Sequence, residues 1–346
     1  MTPPPRSRRR QLASIVACAL TLACGGYAVA DVGALAAFSA TLDAQWIFGL
    51  PAESEQRFRA ELARWPVGDP QSLVVLTQIA RTQGLRREFA AAHATLDTVA
   101  AALPTAPSHV RTRYLLERGR VFNSAGAPAR GVPLFAEALA LAECNGDEFY
   151  AVDAAHMLGI AAPAAERLDW NLKALALAEA ATDPRATRWR GSLYNNIGWT
   201  YHERGDAAAA LRYFEQAQDA YARNGSSTEM RVARWTVARA QRSLGRNAEA
   251  RSTQLALERE LAAAGETDGY VFEELALIAA AENDAAGART WAAKAKPLLA
   301  ADPWFAANEK ARLARLADLA GGGPVSAPGR PKRERAPQRA ARRVSQ

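Results

Sequence analysis

Residues 194–217 read YNNIGWTYHERGDAAAALRYFEQA. Tyr194, Ile197 and Tyr201 recur at helical spacing, Gly205 interrupts the pattern, and Asp206 opens a second run that carries Ala210, Phe214 and Ala217. This is the pattern of two helices folded back on each other. Gly198 and Ala210 are small enough to let the helices approach, Tyr194, Ile197, Tyr201 and Phe214 fill the space around them, and Gly205 supplies the turn.

The same unit recurs in both directions. Turn residues fall at Gly84, Gly126, Gly205, Gly245 and Asn283, separated by 42, 79, 40 and 38 residues. The long interval hides one more unit in Asp153–Ala180, where Ala155 and Ala174 are the small packing residues and Pro163 interrupts the turn region. The remaining units are Leu115–Phe122 with Gly126 and Phe135, Val237-Ala238 with Gly245 and Ala250, and Leu275-Ala276 with Ala288 and Ala295. Six antiparallel hairpins therefore cover about residues 71–300, and no strand-period segment competes with them. The fold class is all-α. Asp183-Pro184 and Asp302-Pro303 each place a capping carboxylate before a proline suited to a first helical turn. From the second of these, one terminal capping helix is expected over Pro303–Ala320, burying Trp304, Phe305, Leu313, Leu316 and Leu319; Ser54–Trp65 caps the other end.

The unit at 194–217 resembles the tetratricopeptide repeat (TPR) at every signature position except the terminal proline. A period near 40 exceeds the usual 34 of that repeat and is similar to the long repeats of kinesin light chain and of the sensor domains of some bacterial transcription regulators. The resemblance covers about two thirds of the chain. It implies a right-handed α-solenoid whose first helices line a concave groove, with ligand-binding residues at fixed offsets from the small anchors Thr77, Gly119, Ala155, Gly198, Ala238 and Ala276. Those offsets select Arg120, Asn123, Asn196, Trp199, His202, Arg239 and Arg242 as peptide-binding candidates. Asn196 resembles the asparagine with which peptide-binding members hold a ligand backbone, since its amide both donates and accepts. Arg239 and Arg242 would pair with acidic side chains or a C-terminal carboxylate, and Trp199 would anchor the ligand. Lysine is missing from the carboxylate-clamp positions, so the clamp is incomplete. The alternative is internal: Asn196 bonds a neighbouring helix, the arginines are solvated or join repeats by salt bridges, and the tryptophans pack. On the groove reading, Asn196→Ala and Arg239→Glu spare thermal stability.

Enzymatic chemistry finds little support. There is no Walker loop, dinucleotide fingerprint, G-x-S-x-G elbow or H-E-x-x-H. Asp153 with His156, and His202 with Glu203, offer two metal ligands at most. No catalytic residue, metal or cofactor is assigned, and a hidden enzyme would need a closed pocket around Ala155–Trp170. The expected function is a non-enzymatic scaffold or adaptor that binds a peptide or partner protein; the alternative is a ligand-responsive regulatory sensor acting on a separate effector.

The formal charge of +7 is concentrated at the ends. Residues 1–30 contribute +4 and residues 321–346 contribute +6, leaving −3 for the body. A body of that sign is a poor nucleic-acid groove, so contact with nucleic acid is expected only weakly, through a disordered basic tail at 321–346. Residues 1–30, with RSRRR, an apolar run from Leu12 to Cys24 and Ala28-Val29-Ala30 before Asp31, match a cleavable secretory signal. Export to the periplasm or beyond follows. The alternatives are an uncleaved or lipidated segment, which would bring a membrane into play, and a cytoplasmic chain whose true start lies near residues 40–50. The domain plan is thus 1–30 signal, 31–70 lead-in with a capping helix, 71–320 repeats and 321–346 tail.

Overall fold

The computed structural model describes residues 29–322; the signal segment before Val29 and the basic tail after Gly322 lie outside the described residues. These residues are helical throughout and fall into two compact units that divide after Ala186.

In the first unit, α1 (Val29–Asp43) and α2 (Pro51–Leu62) precede three hairpins. The hairpins are α3 (Pro70–Leu85) with α4 (Phe89–Ala102), α5 (Ser108–Ser124) with α6 (Pro128–Asn145), and α7 (Glu148–Ala161) with α8 (Arg167–Ala180). A single turn, α9 (Pro184–Thr187), follows. The second unit repeats the arrangement with α10 (Trp189–Glu203) and α11 (Ala207–Asn224), α12 (Ser227–Ser243) and α13 (Asn247–Ala263), and α14 (Gly269–Ala281) and α15 (Ala285–Ala300). It closes with α16 (Pro303–Asn308) and α17 (Lys310–Ala320). The six expected hairpins are present.

The anchors work by close approach. A Cβ placed on Gly198 would stand 2.6 Å from the Phe214 ring, and one on Gly119 would stand 2.5 Å from the Phe135 ring. Both phenylalanines are fully buried, so each ring packs directly on the glycine of the facing helix, a contact no larger residue permits without a shift. In the irregular third hairpin the close contact is made instead by Asn171 against Gly159, while Pro163 lies in the connection between α7 and α8.

Gly126, Gly205, Gly245 and Asn283 all adopt the left-handed conformation, which ends a helix at little cost only in residues of this kind. Gly84 does not. It lies in the last turn of α3, and the left-handed residue of that connection is Arg87 at φ 66°. Two further expectations are corrected. The lead-in carries α1 in addition to the helix around Ser54–Trp65. The terminal element starts as expected on the Asp302 cap, which accepts from Trp304 and Phe305, but it is broken at Glu309, where the backbone leaves helical geometry (φ −118°, ψ 37°), into α16 and α17. Phe305, Leu316 and Leu319 are nonetheless buried as expected.

Candidate functional site

Side chains at the offsets singled out above share one face of each first helix, because residues three and four apart stack along a helix. In the first unit that face is a charge network. Arg120 Nη1 donates to Glu117 Oε1 at 2.6 Å and its Nη2 reaches both oxygens of Asp153 on α7. Arg81 on α3 lies 3.6 Å from Glu117, and its guanidinium is about 5.5 Å from the stacked rings of Trp46 and Phe48. Burial disfavours the charge on both arginines; it lowers the pKa of Arg81, whereas Asp153 and Glu117 more than offset it at Arg120, whose pKa is raised. Burial would raise the Asp153 carboxyl, but the Arg120 charge and hydrogen bonds hold it below the usual range. His156, one turn on, is pushed down to about 4 by burial, with Asp153 opposing and Arg120 reinforcing the shift. With Arg120 on both its oxygens, Asp153 serves an ion pair. Asn123 is half-buried at the end of α5.

In the second unit the face is aromatic and cationic. Trp199 on α10 packs 5.5 Å from Phe214, 5.4 Å from His202 and 6.1 Å from Trp235. The Arg239 guanidinium lies 5.7 Å from the Trp199 ring and 5.4 Å from that of Trp235, within cation–π range. Arg239 and Arg242 both bond Glu274 on α14, Arg242 through Nε at 2.7 Å. Arg239 is 1% exposed and Glu274 fully buried, so this pair joins neighbouring repeats, as the internal alternative anticipates. Arg242 retains partial exposure, His202 Nε2 lies 3.2 Å from Ser243 Oγ, and Asn196 is half-buried.

Sequence reading picked Asn196 and passed over its neighbour. Asn195 is 1% exposed, and neither end of its amide has a hydrogen-bond partner. The indole N–H of Trp199, 3% exposed and one turn further along α10, has none either. The signal was present in the spacing, since Asn195, Trp199 and His202 stand at i, i+4 and i+7 and form one stripe, whereas Asn196 lies beside it.

No protein-family model matches the sequence, and no curated protein does. Solved structures match its fold. Apo RapI superposes with a TM-score of 0.64 at 8% identity, covering 83% of this chain and 80% of that one. The complex of NprR with its cognate peptide NprX gives 0.52 at 15%, covering 85% of each. A STAND signal-transduction ATPase from Pyrococcus horikoshii, which carries a tetratricopeptide repeat sensor, gives 0.59 at 13%, covering 80% of this chain but 42% of that protein. The chain thus shares the all-α, antiparallel-hairpin fold of these tetratricopeptide-like structures.

Proposed function

We propose that this TPR protein is a non-enzymatic scaffold that binds a peptide, or an extended segment of a partner protein, on the first-helix face of its second unit. One observation carries the reading: on α10, both ends of the Asn195 amide and the Trp199 indole N–H are buried without partners. Such groups cost about 1–3 kcal/mol each unless water or a ligand satisfies them, and a donor–acceptor amide beside a donor suits the alternating groups of a peptide backbone. Half-buried Asn196 and His202 with Arg242 form the accessible rim, and Arg242 favours ligands with acidic groups or a free C-terminal carboxylate. The fold likeness to NprR, solved with its peptide NprX, supports the same reading.

Burial of Asn195 and Trp199 favours a second element. A ligand reaches them only if the covering side chains move, so binding is coupled to a change in packing, as in a ligand-responsive sensor acting on a separate effector. Selection of a random peptide library on the full chain tests both. Enriched peptides should bind the parent protein and lose affinity for Asn195→Ala and Arg242→Ala, with altered tryptophan fluorescence on binding. Failure to enrich any peptide, or equal binding by these variants, would overturn the proposal.

Export is proposed with it. Cleavage before Asp31 would leave α1 almost whole, including buried Leu35, Ser39 and Leu42. Mass spectrometry of the mature N-terminus in the native host tests this, and a start at residues 40–50 would refute it.

A further inference from the structure

Arginines on the first helices of the hairpins are held by carboxylates. Arg113 bonds Asp43, Arg118 bonds Asp97, Arg120 bonds Glu117 and Asp153, and Arg239 and Arg242 both bond Glu274. Arg81 on α3 is held differently. It donates no hydrogen bond among the described residues, and its nearest carboxylate, Glu117, stands 3.6 Å away with the facing oxygen already bonded by Arg120 at 2.6 Å. The unbonded guanidinium nitrogens keep accessible surface, and the side chain as a whole is 22% exposed.

An aromatic pair stands beside this cation. Trp46 and Phe48, in the connection between α1 and α2, stack with ring centres 4.9 Å apart and lie 5.5 and 5.4 Å from the guanidinium. The Trp46 indole donates to Gln78 Oε1 on α3 at 2.8 Å, and its ring meets Phe58 of α2 edge-on at 5.1 Å. The stack is thereby fixed to both helices. Both rings are half-buried, which leaves apolar surface next to the charge. Burial first, then the like charge of Arg120, lowers the pKa of Arg81 against the pull of Glu117, Asp153 and Asp43. Its charge is therefore less well compensated than that of Arg120, which is raised.

We propose that Arg81, Trp46 and Phe48 form a binding site for a small aromatic carboxylate, its carboxylate on the guanidinium and its ring against the half-buried aromatic pair. A planar carboxylate matches the guanidinium fork with two parallel hydrogen bonds, and burial of its ring against Trp46 and Phe48 adds apolar contact. A single negative charge suits the place, because Glu117 and Asp153 lie near enough to repel a doubly charged phosphate. The site lies in the first unit, so it goes beyond the peptide-binding reading and does not depend on it.

Titration of the isotope-labelled full chain with 3-phenylpropionate, its carboxamide and acetate, followed by NMR, tests the assignment. The aromatic carboxylate should shift the Trp46 indole and Arg81 Nε signals saturably. Acetate, which lacks the ring, and the carboxamide, which lacks the charge, should bind more weakly at the same place. Arg81→Gln should weaken 3-phenylpropionate about tenfold, with the Trp46 indole as reporter, and should keep the melting temperature, since Glu117 and Asp153 retain Arg120. Phe48→Leu should weaken 3-phenylpropionate and spare acetate, and Arg242→Ala, in the second unit, should bind as the parent does. Non-saturating shifts, equal affinity for the carboxamide, undiminished affinity in Arg81→Gln, or loss of binding in Arg242→Ala would each overturn the proposal.

Discussion

Asp43, the last residue of α1, receives Arg113 of α5 through both guanidinium ends, at 2.8 and 3.2 Å, across 70 residues of sequence. The Tyr150 hydroxyl donates to the same carboxylate at 3.1 Å, and Ser39 Oγ lies 2.7 Å from His109 Nε2 one turn back. α1 is therefore fastened to two other helices.

Removing Asp43 leaves Arg113, 2% exposed, as a buried cation without its carboxylate. Asp43→Ala should destabilise the first unit by about 3 kcal/mol, in line with loss of one partner from a buried pair. A chain starting at Ala44 should lose more, because Leu35 and Leu42 leave the core as well. Thermal unfolding by circular dichroism checks both, and a first unit unchanged in stability would show α1 to be an appendage.

Local constraints were legible in the sequence, and pairings between helices were less so. Gly126, Gly205, Gly245 and Asn283 announce their turns because a left-handed residue is nearly confined to glycine and asparagine. Arg87 carries no such mark, and Gly84 drew the expectation three residues too early. The charge pairs left a fainter trace: Arg120 and Asp153 are 33 residues apart, Arg242 and Glu274 are 32, Arg239 and Glu274 are 35, each pair joining the first helices of neighbouring hairpins. Offsets within one repeat cannot show whether an arginine meets a ligand or the next repeat, since that depends on what the neighbouring helix carries at its own anchor.

Gly198 and Phe214 test the hairpin register. Gly198→Ala already places a Cβ inside contact distance of the ring, and Gly198→Leu should cost about 1–3 kcal/mol or more through overpacking. Phe214→Leu frees space at the same point, so the double variant with Gly198→Ala should lose less than the two single losses added together. Additive losses in denaturant unfolding would mean the two residues do not touch.

For Arg239, the structure reverses the outcome expected of a groove residue. Arg239→Glu would bury a second carboxylate beside Glu274 and should destabilise the second unit by about 3–5 kcal/mol, whereas Asn196→Ala, at a half-buried position, should change stability little. Arg239→Met should cost less than Arg239→Glu, because Glu274 keeps its bond from Arg242. Chemical denaturation of the three variants decides it; a neutral Arg239→Glu would place that side chain outside the core.

His156 gives the first unit a pH dependence whose sign follows from its surroundings. Its folded pKa of about 4 lies below the 6.5 of an unperturbed histidine, because burial disfavours the imidazolium more than Asp153 favours it. Between those values the unfolded chain binds a proton that the folded chain refuses. The stability contribution is therefore full above about pH 6.5 and lost as pH falls toward 4, a difference on the order of 3 kcal/mol across the window. His93 is lowered too, by burial first and then by Arg118, and adds a component of the same sign. His156→Gln should flatten most of the slope of melting temperature against pH between 4 and 6.5 while His93→Gln removes less. A slope unaltered by His156→Gln would mean that the imidazole meets water or takes up its proton in the folded state.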